Sequence, residues 1–274
     1  MSRHKKITVI LQIAVFLLIV GVYLLTRQPV KPAQPVNSSA TSSRYWIITN
    51  AALKQIVINP KARAALSNDT IYSPSYNPNK ATAGEQGLHI IPAKTYRSES
   101  QFASDVNAGK IPSYVKAILY DNEPWKFTPS AEKQDPALYY KRAFSLAHAH
   151  GYVLIAAPVP NKIDPSIATY ADVIDVQAQY AQATTTKYLS AVEPIIKQIQ
   201  KSNPKVVILS GLSTNPTAGD PTSQQLLSIV KATFPKLTSG WWLNIPNPGT
   251  ACPKCNLPRP GTAVSLLGEL GAVR

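Results

Sequence analysis

Apolar and polar positions follow two alternating periods along most of the chain, and each change of period marks an element. Short apolar runs rich in β-branched and aromatic residues read as strands at 70–73, 88–92, 115–120, 152–157, 173–179, 205–209 and 240–245, with order beginning at Arg44-Tyr45-Trp46-Ile47-Ile48. Between them lie stretches of helical spacing. Residues 51–66 form one, broken or kinked at Pro60. Residues 98–108 form another, with Ser98 as its cap and Gly109 as its stop. Asp135-Pro136 opens a third that Gly151 ends. A fourth spans 186–201 with a kink expected at Glu193-Pro194; 223–234 and a closing stretch at 263–270 follow.

Strands separated by single helices imply parallel pairing through right-handed crossovers. Seven or eight strands in about 230 residues fit an α/β fold of the (β/α)8 TIM type. An open flavodoxin-like sheet needs fewer strands and usually shows a glycine-rich first turn. No Walker or dinucleotide motif occurs, and no long repeat stands out.

The head of the chain has a different pattern. Residues 7–25 carry no charge, close to the ~20 residues that a helix needs to cross a bilayer. Arg3, Lys5 and Lys6 precede the run, and Arg27 and Lys31 follow it. No small-x-small cleavage site comes directly after it, which favours a retained signal anchor over a cleaved signal peptide. The expected organisation is a cytoplasmic head at 1–6, a single transmembrane helix at 7–25, a Pro/Ser/Thr-rich linker at 26–43, and an extracytoplasmic barrel at 44–274.

Charge refines this picture. The chain carries +14; its first 31 residues hold five basic residues and no acid, leaving 23 basic against 14 acidic residues, a balance of +9. These charges are scattered rather than interleaved with aromatics, which argues against a nucleic-acid partner. A basic domain lying against an anionic cell envelope is the simpler reading. Cys252 and Cys255 have no second pair, so a structural zinc site lacks ligands, and no metal or cofactor is expected. Between proline- and glycine-rich turns they read as an oxidised loop staple, with a reactive thiol pair as the competing reading.

The candidate chemistry centres on Val115-Lys116-Ala117-Ile118-Leu119-Tyr120-Asp121-Asn122-Glu123-Pro124-Trp125. Alternation places Val115, Ala117, Leu119, Asp121 and Glu123 on one face, with the two acids side by side at the carboxyl end of the strand. Carboxylates there are costly unless hydrogen-bonded, paired or used, and sites of parallel α/β folds lie at carboxyl ends. Trp125 follows them. The 173–179 stretch adds Asp175, Gln177 and Gln179 on one face; the 240–245 stretch adds Trp242 and Asn244. Amides and acids bond sugar hydroxyls, and indoles stack on the apolar side of a sugar ring.

Asp121-Asn122-Glu123 resembles the Asp-x-Glu that ends strand four in family 18 chitinases. Tyr152–Pro158 resembles that family's next strand, and Asp172-Val173-Ile174-Asp175-Val176-Gln177 is similar to the sixth strand of its plant-type members. The resemblance covers residues 110–246. It implies Glu123 as the general acid and Asp121 as the residue orienting the substrate's 2-acetamido group, which itself attacks the anomeric carbon. Leu119 stands where the family has an earlier aspartate, and Gln179 where it has a tyrosine. Asn122-Glu123-Pro124 also resembles the Asn-Glu-Pro of cellulase-like glycosidases. Their second glutamate has no counterpart in Ser210-Gly211-Leu212-Ser213-Thr214-Asn215, which leaves Asp175 as the donor of a second carboxylate.

The sequence thus points to a membrane-anchored, extracytoplasmic glycoside hydrolase-like barrel acting on a polysaccharide or cell-envelope glycan, with Glu123 as acid and Asp121 and Asp175 in support. The competing reading is a catalytically inactive barrel that binds glycans or scaffolds a complex at the cell surface.

Overall fold

A computed structural model describes residues 43–78, 85–123, 126–159, 163–215, 219–245 and 259–272. The head, the apolar run at 7–25 and the linker up to residue 42 lie outside the described residues, as do Pro124, Trp125, Cys252 and Cys255. Among the described residues no helix is long and apolar enough to cross a membrane.

Eight strands close into a barrel in chain order: β1 Tyr45–Ile47, β2 Thr70–Ser75, β3 His89–Tyr96, β4 Ala117–Tyr120, β5 Val153–Ala156, β6 Val173–Val176, β7 Val207–Ser213 and β8 Gly240–Asn244. Every neighbouring pair is parallel, including β8 on β1. The helices outside are α1 Asn50–Ile56, α2 Pro60–Leu66, α3 Glu99–Asn107, α4 Ser130–Gln134, α5 Pro136–Ala149, α6 Thr185–Ser202, α7 Ser223–Thr233 and α8 Pro260–Gly271.

Pro60 divides the expected first helix into two. Lacking an N–H, it takes the first position of α2, where that donor is unpaired anyway, and Asn59 caps the new start by accepting from the amides of Lys61 and Ala62. Pro194 behaves differently: α6 runs through it without ending. The α6 stripe of Tyr188, Val192, Ile196 and Ile199 is buried, and that packing holds the helix across the missing hydrogen bond.

Alternation splits the strands' side chains into two cores. Ile47, Tyr72, Ala93, Ala117, Leu119, Ile155, Val173 and Leu209 fill the barrel. Ile118, Tyr120, Leu154, Ile174, Ile208 and Trp241 face the helices. Val115 departs from the expected face. It precedes β4 and packs in the outer core, because its amide closes a turn onto Pro112 instead of joining the ladder, which starts with Lys116 on Pro92.

Closure depends on two local features. Tyr45 pairs with Gly240, where a Cβ would overlap the Tyr45 carbonyl oxygen, so only glycine lets β8 meet β1 here. Beside that seam, Asp69 accepts from Arg44 Nε at 3.0 Å and from Trp46 Nε1 at 2.9 Å, while Arg44 also donates to the carbonyl of Ala65. The pair is buried. Asp69→Ala strands a guanidinium and an indole N–H away from water and should cost about 3–5 kcal/mol. Urea denaturation measures this; a loss under about 1 kcal/mol would contradict the assignment.

Candidate active site

Because all strands run the same way, their carboxyl ends share one rim. The β4 ladder continues one residue past the strand, through the amide of Asp121 onto the carbonyl of Tyr96. Alternation then carries Ala117 and Leu119 inward, followed by Asp121 and, two residues on, Glu123. Both acids are half-buried. From β6, Asp175 enters on the same interior parity as Val173 and is fully buried.

The strand ends are tied together above this point. Gln177 Nε2 donates to Glu123 Oε1 at 2.6 Å and to the Ala157 carbonyl at 3.4 Å, so one amide spans the ends of β4, β5 and β6. Gln179 lies beyond the strand, in a short 3-10 turn over Gln179–Ala181, because β6 stops at Val176. Its side chain still reaches the rim: a Cβ on Gly211 would stand 2.6 Å from Gln179 Cδ. Trp242 faces the interior, half-buried, while Trp241 belongs to the outer core. The Trp242 indole N–H is sealed from solvent and has no partner among the described residues. Asn244 ends β8, half-buried, and its carbonyl accepts from the amide of Thr214.

Asn122 points the other way. Its Nδ2 donates to the Tyr120 hydroxyl and to the Glu132 carbonyl, both at 3.0 Å. Buried Glu132 accepts from the Tyr120 hydroxyl at 2.6 Å, from Ser98 Oγ at 3.0 Å and from the amide of Glu99 at 2.9 Å. This network locks the end of β4 to the first turn of α3. On the opposite side, Gln182 makes a two-point contact with Ser213, donating to its carbonyl at 2.7 Å and accepting from its amide at 2.9 Å. Neither Glu132 nor Gln182 stands out in the sequence, since each acts on a segment about 30 residues away.

Electrostatics follow from bringing two half-buried carboxyls together with a fully buried one. Burial, reinforced by the negative Glu123 and opposed by Arg97, pushes the Asp121 carboxyl up to about 8. Burial first, then the charges of Asp121 and Glu123, holds Asp175 well above the usual carboxylate range. Neither oxygen of Asp175 has a hydrogen-bond partner among the described residues. A neutral carboxyl is the form that tolerates such a site. Among the described residues no group of three His, Cys, Asp or Glu is arranged to hold a metal ion. The arrangement suits proton transfer: two carboxyls, Asp121 and Asp175, whose protons are held more tightly than usual, next to Glu123, which accepts a hydrogen bond from an amide.

Several solved structures share the barrel. A chitinase from Chromobacterium violaceum gives a TM-score of 0.52 at 11% identity, covering 85% of this chain and 100% of its own. A family 2 β-galacturonidase from Eisenbergiella tayi gives 0.51 at 12% identity, covering 85% of this chain and 51% of its own. At these identities the likeness is one of fold, a TIM barrel of the kind that glycoside hydrolases use. No protein-family model and no curated protein matches the sequence.

The raised carboxyls set a pH dependence. The folded chain binds the Asp121 proton more tightly than the unfolded chain does, so the contribution of this group to stability is fully present below about 3.8 and is lost as pH rises toward about 8. Asp121→Asn removes one such proton and should flatten that decline, leaving the part due to Asp175. Urea midpoints at pH 4.5 and pH 8 test this; an unchanged decline in the variant would show that Asp121 titrates normally.

Proposed function

We propose that the chain is a glycosidase that hydrolyses a polysaccharide or cell-envelope glycan, with Glu123 as the acid/base. The observation that carries this reading is the gathering of Asp121, Glu123 and Asp175 at one barrel rim, with Glu123 tied to Gln177. Glu123, two residues beyond Asp121 and half-buried, is the member of the set that we assign to meet a bound sugar. In its protonated form it gives its proton to the glycosidic oxygen as the bond to the anomeric carbon breaks and the electron pair leaves with that oxygen. It then takes a proton back from the water that completes hydrolysis. Asp121, carrying its own proton to about pH 8, supplies a hydrogen-bond donor beneath the reacting carbon and limits the negative charge beside Glu123. Trp242 and Asn244 from β8, with Gln177 and Gln179 from the β6 side, line the sugar site.

A second reading has a specific observation behind it. Leu119 is an interior residue of the barrel and stands where the chitinase-like pattern has a further acid. A barrel lacking that acid fits a glycan-binding protein without turnover. Reducing-sugar release from a panel of polysaccharides separates the two. Glu123→Gln should lower the rate by about 10²–10⁴-fold with unchanged circular dichroism. Unaltered activity in that variant would remove Glu123 from the chemistry, and binding without any release by the wild type would favour the second reading.

We also infer that residues 7–25 anchor the chain in the cell membrane as a single pass, with the barrel on the extracytoplasmic side; the uncharged apolar run with basic flanks supports this. The full chain should stay with membranes after alkaline carbonate washing, and protease added outside intact cells should remove the barrel. Release by carbonate would argue against a spanning helix.

A further inference from the structure

A cation held against aromatic rings stands beside the carboxyl pocket. Arg97 directly follows β3 and precedes Ser98, the cap of α3. Its guanidinium carbon lies 4.4 Å from the ring centroid of Tyr76 and 4.8 Å from that of Phe127. Tyr76 directly follows β2, and Phe127 lies beyond the end of β4, so three strand ends on one side of the rim build the cluster. Lys126 Nζ, 5.0 Å from the Phe127 centroid, adds a second positive charge.

The rings are 48% and 56% exposed. Among the described residues only five large hydrophobic side chains are exposed, and two of them flank the same guanidinium. Single exposed apolar residues need no explanation, but a pair gathered around a cation does. Among the described residues no carboxylate lies within ion-pair distance of Arg97. The cluster nevertheless borders the carboxyls, because Arg97 directly follows Tyr96, whose carbonyl accepts from the amide of Asp121. Burial raises the Tyr76 hydroxyl; Arg97 opposes that shift, and the charges of Asp121 and Glu123 add to it. Arg97 also pulls on Asp121, but burial and Glu123 outweigh it, so holding Asp121 ionised is not what this charge achieves.

We propose that Arg97, flanked by Tyr76 and Phe127, recognises an acidic sugar, and that the ligand of this pocket is an anionic glycan. The inference rests on the glycan-site reading above and names its substrate class. A guanidinium presents N–H donors in a planar fork that matches a carboxylate at two points. Contact with two rings restricts its rotamers, so less freedom is lost when an oxyanion binds. The exposed rings offer surfaces for the apolar face of the same sugar, whose charged substituent then meets Arg97. The balance of +9 beyond residue 31 draws a polyanion toward the rim. A uronic acid and a sulfate ester both supply this chemistry, and the carboxylate fits the fork better.

Calorimetric titration of the full chain tests this, with an oligouronide, a neutral oligosaccharide of equal length and a sulfated one. The oligouronide should bind roughly tenfold to a hundredfold more tightly than the neutral chain. Arg97→Ala should erase that preference, bringing the oligouronide to the affinity of the neutral chain for the same variant; Arg97→Gln, which keeps the side-chain stem, should do the same if the alanine variant folds poorly. Lys54→Ala makes the same charge change on α1 and should leave the preference intact, separating local recognition from general attraction. Equal binding of the sulfated chain supports an anion site of either kind, and preference for the oligouronide narrows it to a carboxylate. Equal uronide and neutral affinities in the wild type, or a preference that survives loss of Arg97, overturns the inference while leaving a glycan site standing. Failure to bind any of the three overturns the glycan reading along with it.

Discussion

Closing eight parallel strands into a ring forces every carboxyl end to the same rim, and the site depends on that constraint. Within it, alternation on β4 leaves no choice of direction: with Ile118 and Tyr120 packed against helices, Ala117, Leu119 and then Asp121 must face inward. β6 repeats the logic with Ile174 and Val176 outside and Asp175 inside. The two strands are separated only by β5, so acids distant in sequence come within each other's field. The Tyr45–Gly240 seam that completes the ring is therefore as necessary to this gathering of acids as the acids' own strands.

The rim is then held rigid from behind. Asn122, between the two acids, turns outward into the network of Tyr120, Glu132 and Ser98, which fastens the strand end to α3. Gln182 does the same for the end of β7. These contacts are themselves buried. They limit how far Asp121 and Glu123 can move apart, and close carboxyls with restricted freedom retain protons that exposed ones would lose.

The outward turn of Asn122 also bears on the two resemblances. An Asp-x-Glu pattern asks only for the first and third residues inside, as alternation provides. An Asn-Glu-Pro pattern whose asparagine met the ligand would need neighbouring residues on one face, and here they diverge. What surrounds the acids is less usual than the acids themselves: an interior leucine, an amide strap, and a guanidinium held by two open rings.

Much of the architecture was written in local pattern. Strand and helix periods, the caps at Ser98 and Asp135, and the stops at Gly109 and Gly151 depend on neighbouring residues, so the sequence by itself determined the barrel and the inward pair on β4. It could not locate where pairing ends. β6 stops at Val176 and β7 continues to Ser213, because a ladder lasts only as long as its neighbour does, and that moved Gln179 off the strand and into a turn. Nor could it assemble Tyr76, Arg97 and Phe127, which lie on three separate connections and meet only when the ring closes. Short-range spacing decides which way a side chain points; which distant side chains it meets there, and how much water they leave it, was decided by the tertiary structure.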